Sequence, residues 1–371
     1  MKKRGICARW RSGEMRSNRF VLRAAALLCA LLALLALLSL TGCAAKKQEK
    51  YSMQFFGAFD TVIQIMGYAG SEAEFTAAAE KAQAEFVRLH RIFDRYNEYE
   101  GVNNLRRVNE RAGRAPAQAE PELIELLLFC RERQEEYPGR VNVAMGAVLD
   151  LWHEYREAGE AIPPMDALTA AAAHCDMDDV ILDETAGTVY FADPELKLDV
   201  GAVAKGWAAE RAAKVLEESG LASYLINAGG NVRAGGAPKD GRLYWGVSVQ
   251  DPDDAQGGLD VLYFTNGSAV TSGDYQRYYE VNGRRYHHII DPETLMPSEY
   301  LRAVTVWTED SALADFLSTT LFLTPYEDGR ALVDSLAGVE ALWVLPDGTI
   351  SMTDGMRAMA RSGGASATES H

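Results

Sequence analysis

The sequence predicts an α+β fold, with mixed or antiparallel sheets and flanking helices gathered in a single domain. Two observations lead there. Helical periodicities crowd the first half of the chain and strand patterns the second, segregating rather than alternating as they would in a doubly wound sheet. No internal repeat or interdomain linker interrupts the pattern. The composition agrees: 371 residues, 48% hydrophobic and 24% charged, which excludes collagen-like, disulfide-scaffold and disordered chains.

Residues 1–42 stand apart. They carry 8 basic residues and 1 acidic, for +7, and leave 29 basic and 52 acidic residues, a net of −23, for the remainder. A body so acidic, with no Lys/Arg stripe, would repel a phosphate backbone, so no nucleic-acid partner is expected. Behind the basic stretch, residues 24–40 are apolar except for Ser39, and Leu40-Thr41-Gly42-Cys43 follows. This is the order of a secretory signal. The ending resembles a bacterial lipobox, cleaved before Cys43 with that cysteine lipidated. An uncleaved anchor is the alternative, although the apolar run sits at the short limit for spanning a bilayer. Either way the expected address is extracytoplasmic; in the preferred reading the protein is anchored to the cell membrane as a lipoprotein.

Residues 43–50 read as a polar tether and 51–355 as the folded body. Strands are expected at 53–56 and 61–66. Ser71 and Glu74 form a capping box for a helix whose core stripe is Phe75, Ala79, Ala82, Phe86, Leu89 and Phe93. That helix stops at Asp94-Arg95-Tyr96-Asn97. Further helices are expected at 121–136, ended by Pro138-Gly139, and at about 146–157. A hairpin follows at 180–182 and 188–191, then a helix at 203–219 with Gly220 placed for a left-handed cap. Strands are expected at 224–226, 245–249, 261–264, 269–271, 278–281, 286–290 and 303–308. Helices at 312–322 and 328–337 precede a hairpin of 341–345 with 349–352. Residues 356–371, above all the run from 361 onward, read as a disordered tail.

Several chemistries are absent from the pattern. There is no GxxxxGK[ST], no strand followed by GxGxxG, no GxSxG and no HExxH. Of five cysteines, only Cys130 and Cys175 lie beyond the lipobox; they read as small buried residues or one disulfide. Four polar islands remain. Asp199, Gly201 and Lys205 sit where a strand passes into a helix, which suits a phosphorylated ligand or an ordinary turn with a solvated lysine. Asn227-Ala228-Gly229-Gly230-Asn231 reads as an anion nest or, taken alone, more readily as a hairpin. His287-His288 before Ile289-Ile290-Asp291-Pro292 offers a general base or a turn-capping histidine. Asp315 and Thr319, four apart on one helix, present a carboxylate and a hydroxyl to one side. Those groups suit Mg²⁺, which takes one or two carboxylates with phosphate and water oxygens; a first-turn Asp favoured by the helix dipole is the plainer reading.

These islands occur in a specific order. The stretches FFGAFDTVIQI, FDRYNEYEGVNNLRRVN, VNVAMGAVLDLW, LDVGAVAKGWAAERAAKVLEESG, YLINAGGNV, VTSGDYQRYYEVNGRRYHHIIDPET and ADFLSTTLF span residues 55–322. Together they resemble the ApbE family of FAD:protein FMN transferases. The resemblance implies an ApbE-like (T-fold-like) catalytic domain that binds Mg²⁺ and FAD. Such a domain transfers FMN to a Thr or Ser of an acceptor flavoprotein and releases AMP. Carried across, Asp315, Thr319 and the carbonyl of Ala202 would hold the metal. Phe56, Tyr96, Ala144, Met145, Gly146, Asp199, Lys205 and Ile290 would line the FAD site, and His288 rather than His287 would be catalytic. This chain departs from the family pattern in having Leu295 for a turn glycine, Ala147 for a proline and Ala58 for a small hydroxyl residue. The competing readings are an FAD pyrophosphatase, giving FMN and AMP, and a non-catalytic flavin-binding lipoprotein.

Overall fold

The computed structural model describes residues 47–137, 140–254 and 257–369. The leader, Cys43, most of the tether and the Pro138-Gly139 helix stop lie outside the described residues. No helix among the described residues is long and apolar enough to cross a membrane.

The centre of the body is an antiparallel sheet of eight strands. Its first two are β1 (Glu49–Ala58) and β2 (Thr61–Ala69), so Glu49 and Lys50 belong to a strand rather than to the tether. β3 (Ala117–Gln118), β4 (Val180–Asp183) and β5 (Thr188–Phe191) make a separate small sheet. β6 (Tyr224–Ala228) and β7 (Asn231–Gly235) continue the main sheet, which takes the order β1-β2-β6-β7-β10-β13-β14-β15. Here β10 is Gly267–Gly273, β13 Ala303–Thr308, β14 Glu340–Val344 and β15 Ile350–Met352. Two hairpins complete the strands: β8 (Trp245–Gln250) with β9 (Gly258–Phe264), and β11 (Tyr278–Val281) with β12 (Arg284–His287).

One face of the main sheet is covered by helices. Among them, α1 (Glu72–Phe93) starts at Ser71, whose Oγ accepts from the Glu74 N–H, and buries the six stripe residues. α2 (Leu105–Arg111) and α3 (Pro121–Glu136) pack beside it, and α4 (Gly146–Ala158) and α5 (Met165–Ala172) lie towards one end. α6 (Ala204–Glu218) and α7 (Ser311–Phe322) lie against the sheet centre, and α8 (Tyr326–Ser335) against its far side. The helix face buries Ile63, Ile65, Ile226, Val304 and Val306 against Phe86, Ala209 and Phe316. The opposite face buries Leu225, Val232 and Leu342 against Trp245, Val247 and Leu262 of the β8–β9 hairpin. Strand alternation produces both cores from one set of strands.

Three sequence expectations need correction. Residues 356–369 are ordered: α9 (Asp354–Met359) is capped by Thr353, and Met356 and Ala360 are buried in the hairpin-face core. A 3-10 turn follows at Arg361–Gly363, the Ser362 N–H donates to Asp260, and the Ala367 carbonyl accepts from Leu243. Low-complexity composition misled there because small residues permit close approach; a Cβ on Gly363 would lie 1.9 Å from the Arg357 carbonyl oxygen. β7 was absent from the sequence reading. Gly229 and Gly230 adopt φ of 60° and 94° and pair Ala228 with Asn231, which is the two-residue hairpin turn that demands positive φ twice. Finally β12 ends at His287. Residues beyond it leave the ladder because Ile290 bridges Pro297 and the Leu295 N–H returns to the Asp291 carbonyl at 2.8 Å.

Candidate active site

The site forms where α6 begins. Val203, at the N-cap of α6, has no side chain to satisfy the first-turn N–H groups, which would otherwise be orphaned. Asp315 of α7 supplies the cap instead: its Oδ2 accepts from the Gly206 N–H at 2.8 Å. Gly206 is required for this. A Cβ there would stand 2.2 Å from the Ser311 carbonyl and 2.5 Å from the Asp315 Cβ, so only glycine lets the two helices meet. The contact brings Asp315 to the helix start that follows Ala202, and Thr319 lies one turn further along α7.

Asp315 is buried, and burial pushes its carboxyl pKa above the usual range; Lys205, the Gly206 N–H and Asn231 pull the other way. Asn231 is also buried, with its side chain beside Asp315. A buried carboxylate is costly unless charge and donors compensate it, and here Lys205, the Gly206 N–H and Asn231 offset its burial only in part.

Lys205 also faces His288. Burial pushes the His288 imidazole down to about 3, with Arg277, Lys205 and His287 adding to the effect. Its Nδ1 lies 3.2 Å from the Arg277 carbonyl, an acceptor. Nδ1 therefore carries the hydrogen and Nε2 is a bare acceptor. The neighbouring His287 is otherwise engaged: its Nε2 donates to the Ser298 carbonyl at 2.8 Å and its Nδ1 accepts from Ile289, with Phe322 against the ring. Two adjacent histidines thus differ, one locked into a turn and the other with a free nitrogen.

His288 in turn senses Asp199. Burial opposes the Asp199 charge, but Arg95, the Gly201 N–H and His288 hold its carboxyl below the usual range. Arg95 donates to Asp199 at 2.6 Å and to the Gly146 carbonyl at 3.1 Å, and pairs with Asp150. The chain at 142–146 is pinned there by the Asp199 N–H to the Val143 carbonyl, 2.8 Å, and the Gly146 N–H to the Lys197 carbonyl, 2.9 Å. Ala144 is wholly buried, while Met145 and Ile290 share an apolar cluster with Trp152 and Leu295.

Tyr96, next to Arg95, is half exposed and lies against the His153 ring at 4.9 Å. Its backbone is set by Asp94, whose carboxylate collects the Tyr96 and Asn97 N–H groups, the Asn97 amide and the Tyr99 hydroxyl. Phe56 stands apart from this network. It is 73% exposed at a bulge near the end of β1.

The sequence reading missed Arg95, Asp150 and Asn231. All three lie inside stretches already singled out, Asp150 four residues after Gly146 on α4; spacing alone did not say which carboxylates an arginine would join. Leu295 resolves one departure from the family pattern. It keeps the left-handed turn, at φ 59°, although a branched residue there costs about 1–2 kcal/mol. Its side chain is buried beside Trp152, whose indole N–H donates to the Leu295 carbonyl at 2.9 Å. Cys130 and Cys175 are both free, and burial raises the Cys175 thiol to about 11.

A dry carboxylate, a lysine and an unprotonated histidine arranged around a helix start mark an α+β protein built to handle a phosphate-bearing ligand. Comparison then gives the family: residues 59–343 match the ApbE family model, and the chain belongs to that family. An FAD:protein FMN transferase of Treponema pallidum is 35% identical over 68% of this chain and 73% of its own length. One from Klebsiella pneumoniae is 31% identical over 73% and 85%. The crystal structure of the ApbE protein of Thermotoga maritima superposes with a TM-score of 0.76, at 27% identity over 84% of this chain and 99% of that one.

Proposed function

We propose that this chain is an Mg²⁺-dependent FAD:protein FMN transferase, acting on an acceptor flavoprotein through an exposed Thr or Ser and releasing AMP. The relatives named above support the transferase activity. The observation that carries the chemistry is the joining of α6 to α7 through Asp315 and Gly206. It puts a buried carboxylate, Lys205 and the carbonyl-bearing Ala202 turn at one helix start.

These residues fit a divalent ion. Among the described residues no group of three or more His, Cys, Asp or Glu is placed to hold a metal. Mg²⁺ does not need such a cage, because it is satisfied by one or two carboxylates with substrate phosphate and water. The Asp315 carboxylate, the Thr319 hydroxyl and the Ala202 carbonyl would hold it. When bound, the ion supplies charge neutralisation at the pyrophosphate and at the leaving AMP.

The protein's own groups do the rest. Lys205 neutralises a phosphate oxygen, and the Asn231 amide, beside Asp315, donates to another. Tyr96 and Phe56 offer exposed rings for stacking. His288 accepts the acceptor's hydroxyl proton at Nε2 while the hydroxyl oxygen bonds to the FMN phosphorus and the bond to AMP breaks. Such proton transfer contributes about 10²–10⁴-fold. Burial, with Arg277 and Lys205 adding to it, makes His288 a weak base; a bound pyrophosphate would offset the two cations and raise its basicity in part. Arg95 holds Asp199 and the 142–146 turn in place.

Incubating residues 44–371 with FAD, Mg²⁺ and a panel of FMN-binding domains bearing an exposed Thr should yield a covalent FMN adduct, read by mass. FAD binding without an adduct on any of them defeats the transferase reading. AMP release in the absence of acceptor would reveal FAD hydrolysis at the same centre. We also propose export and lipid anchoring at Cys43, supported by the order of basic, apolar and LTGC segments. Cys43→Ala should then shift the protein from the membrane to the soluble fraction.

A further inference from the structure

The hairpin face of the sheet carries a cleft of about 450 Å³ that no step above uses, a size typical of ligand sites. Gln54 pairs across β1–β2 with Gln64, and Gln64 pairs across β2–β6 with Asn227. The three carboxamides therefore stand in a row on one face of adjacent strands. Thr271 and Thr305, joined through their hydroxyls at 2.8 Å, extend this lining.

The lining is polar, yet it includes no Lys, Arg, Asp, Glu or His. That is unusual in a body with a net charge of −23 beyond residue 42, and it gives a pyrophosphate nothing to pair with. Carboxamides both donate and accept, which is what the N–H and C=O groups of an extended polypeptide require. No side-chain hydrogen bond within the protein engages Gln54 or Gln64 among the described residues, so both are free to make such bonds.

The position of the cleft matters as much as its chemistry. It is bounded by the Gly229-Gly230 turn and by Tyr275 and Gln276. Gln276 precedes Arg277, whose carbonyl accepts from the His288 N–H at 3.1 Å and orients the His288 ring. The Gly229-Gly230 turn leads directly into Asn231, beside Asp315. One end of the cleft thus adjoins segments that build the phosphate-handling centre.

We propose that this cleft is the docking groove for the acceptor polypeptide: an uncharged, extended segment hydrogen-bonded through its backbone to the carboxamide row, with its Thr or Ser hydroxyl delivered at the Gln276 end to His288. The proposal rests on the transferase reading. None of the residues assigned to FAD lines the cleft, so each ligand can bind without displacing the other.

Gln64→Trp fills the groove, and Gln54→Trp, on the exposed edge strand, does so with less demand on folding. The probe is whichever FMN-binding domain the wild-type protein flavinylates. Either variant should raise KM for that acceptor about tenfold with kcat little changed, since it removes uniform binding. FAD affinity, followed by flavin fluorescence, should stay at the wild-type value. An unchanged KM for the acceptor in both variants overturns the proposal, and a matching loss of FAD affinity assigns the cleft to the cofactor instead. Failure of the wild-type protein to flavinylate any acceptor is a separate result, and it removes the transferase reading beneath the proposal.

Discussion

The two faces of the central sheet are built from the same strands but differ in what they hold. On the helix face, charge is buried and tightly paired: Asp315 caps α6, Glu210 holds Arg233 at 3.0 Å, and Arg95 bridges Asp199 and Asp150. On the hairpin face an open cleft is lined by neutral polar groups, with charge kept outside it, as where Asp260 accepts from Ser362. Buried charge is costly unless fully partnered, so the helix face is where substitution should be most damaging to chemistry and fold. Substitution in the neutral cleft should be tolerated and alter partner recognition instead.

The largest effect expected on the helix face is loss of the proton acceptor. His288→Asn should lower adduct formation by about 10²–10⁴-fold with FAD affinity retained, while His287→Asn should act mainly through stability. Equal kinetic losses in the two variants would erase the distinction drawn from their hydrogen bonds. Next is Arg95→Ala, which strands Asp199 in a buried position. Breaking such a pair costs about 3–5 kcal/mol, so urea midpoints should fall sharply, whereas Gln54→Ala on the other face should leave them nearly unchanged.

Asp315→Asn separates function from stability. The Asp315 pKa is raised in the fold, so its contribution is present below the unfolded value of about 3.8 and is lost as pH rises through the folded value. The variant should therefore lose metal-dependent turnover yet melt higher than the wild-type metal-free protein at pH 7, with the gain vanishing at acid pH. A lower melting temperature at pH 7 would contradict a strained, cation-seeking carboxylate. His288 has the opposite sign. Its pKa is lowered to about 3, so its contribution is present above about 6.5 and is lost as pH falls towards 3. Between pH 7 and 4.5 the urea midpoint of His288→Asn should gain on that of the wild type; parallel curves would place His288 in a wetter setting. The smallest effect is Leu295→Gly, where relief of about 1–2 kcal/mol of backbone strain competes with about 1.5–3 kcal/mol of lost side-chain burial. A net change near 1 kcal/mol, read from the melting temperature, is expected.

Much of this protein was legible in one dimension because the relevant signals are local. The stripe from Phe75 to Phe93, the Ser71 cap, the hairpin at 180–191 and Gly220 all depend on neighbours within a turn or two. The order of the polar islands sufficed to point to the family. Arg95 and Asn231 were harder, because their roles consist of partners on other elements: Asp199 is 104 residues from Arg95, and Asp315 is 84 from Asn231. The tail misled for a related reason. Small residues look featureless until a surface such as Asp260 and Leu243 exists to receive them.

By itself, the order of side chains determined the α+β class, the positions of most helices and strands, and the chemical types gathered in the site, since periodicity and capping act over a few residues. Only the folded molecule decided that Asp315 would cap a helix 109 residues away, which of two adjacent histidines would keep a free nitrogen, and that neutral amides would line a cleft on the hairpin side of the sheet. Those outcomes depend on which groups lose water and which partner they meet, and dehydration and long-range pairing exist only once the chain has closed on itself.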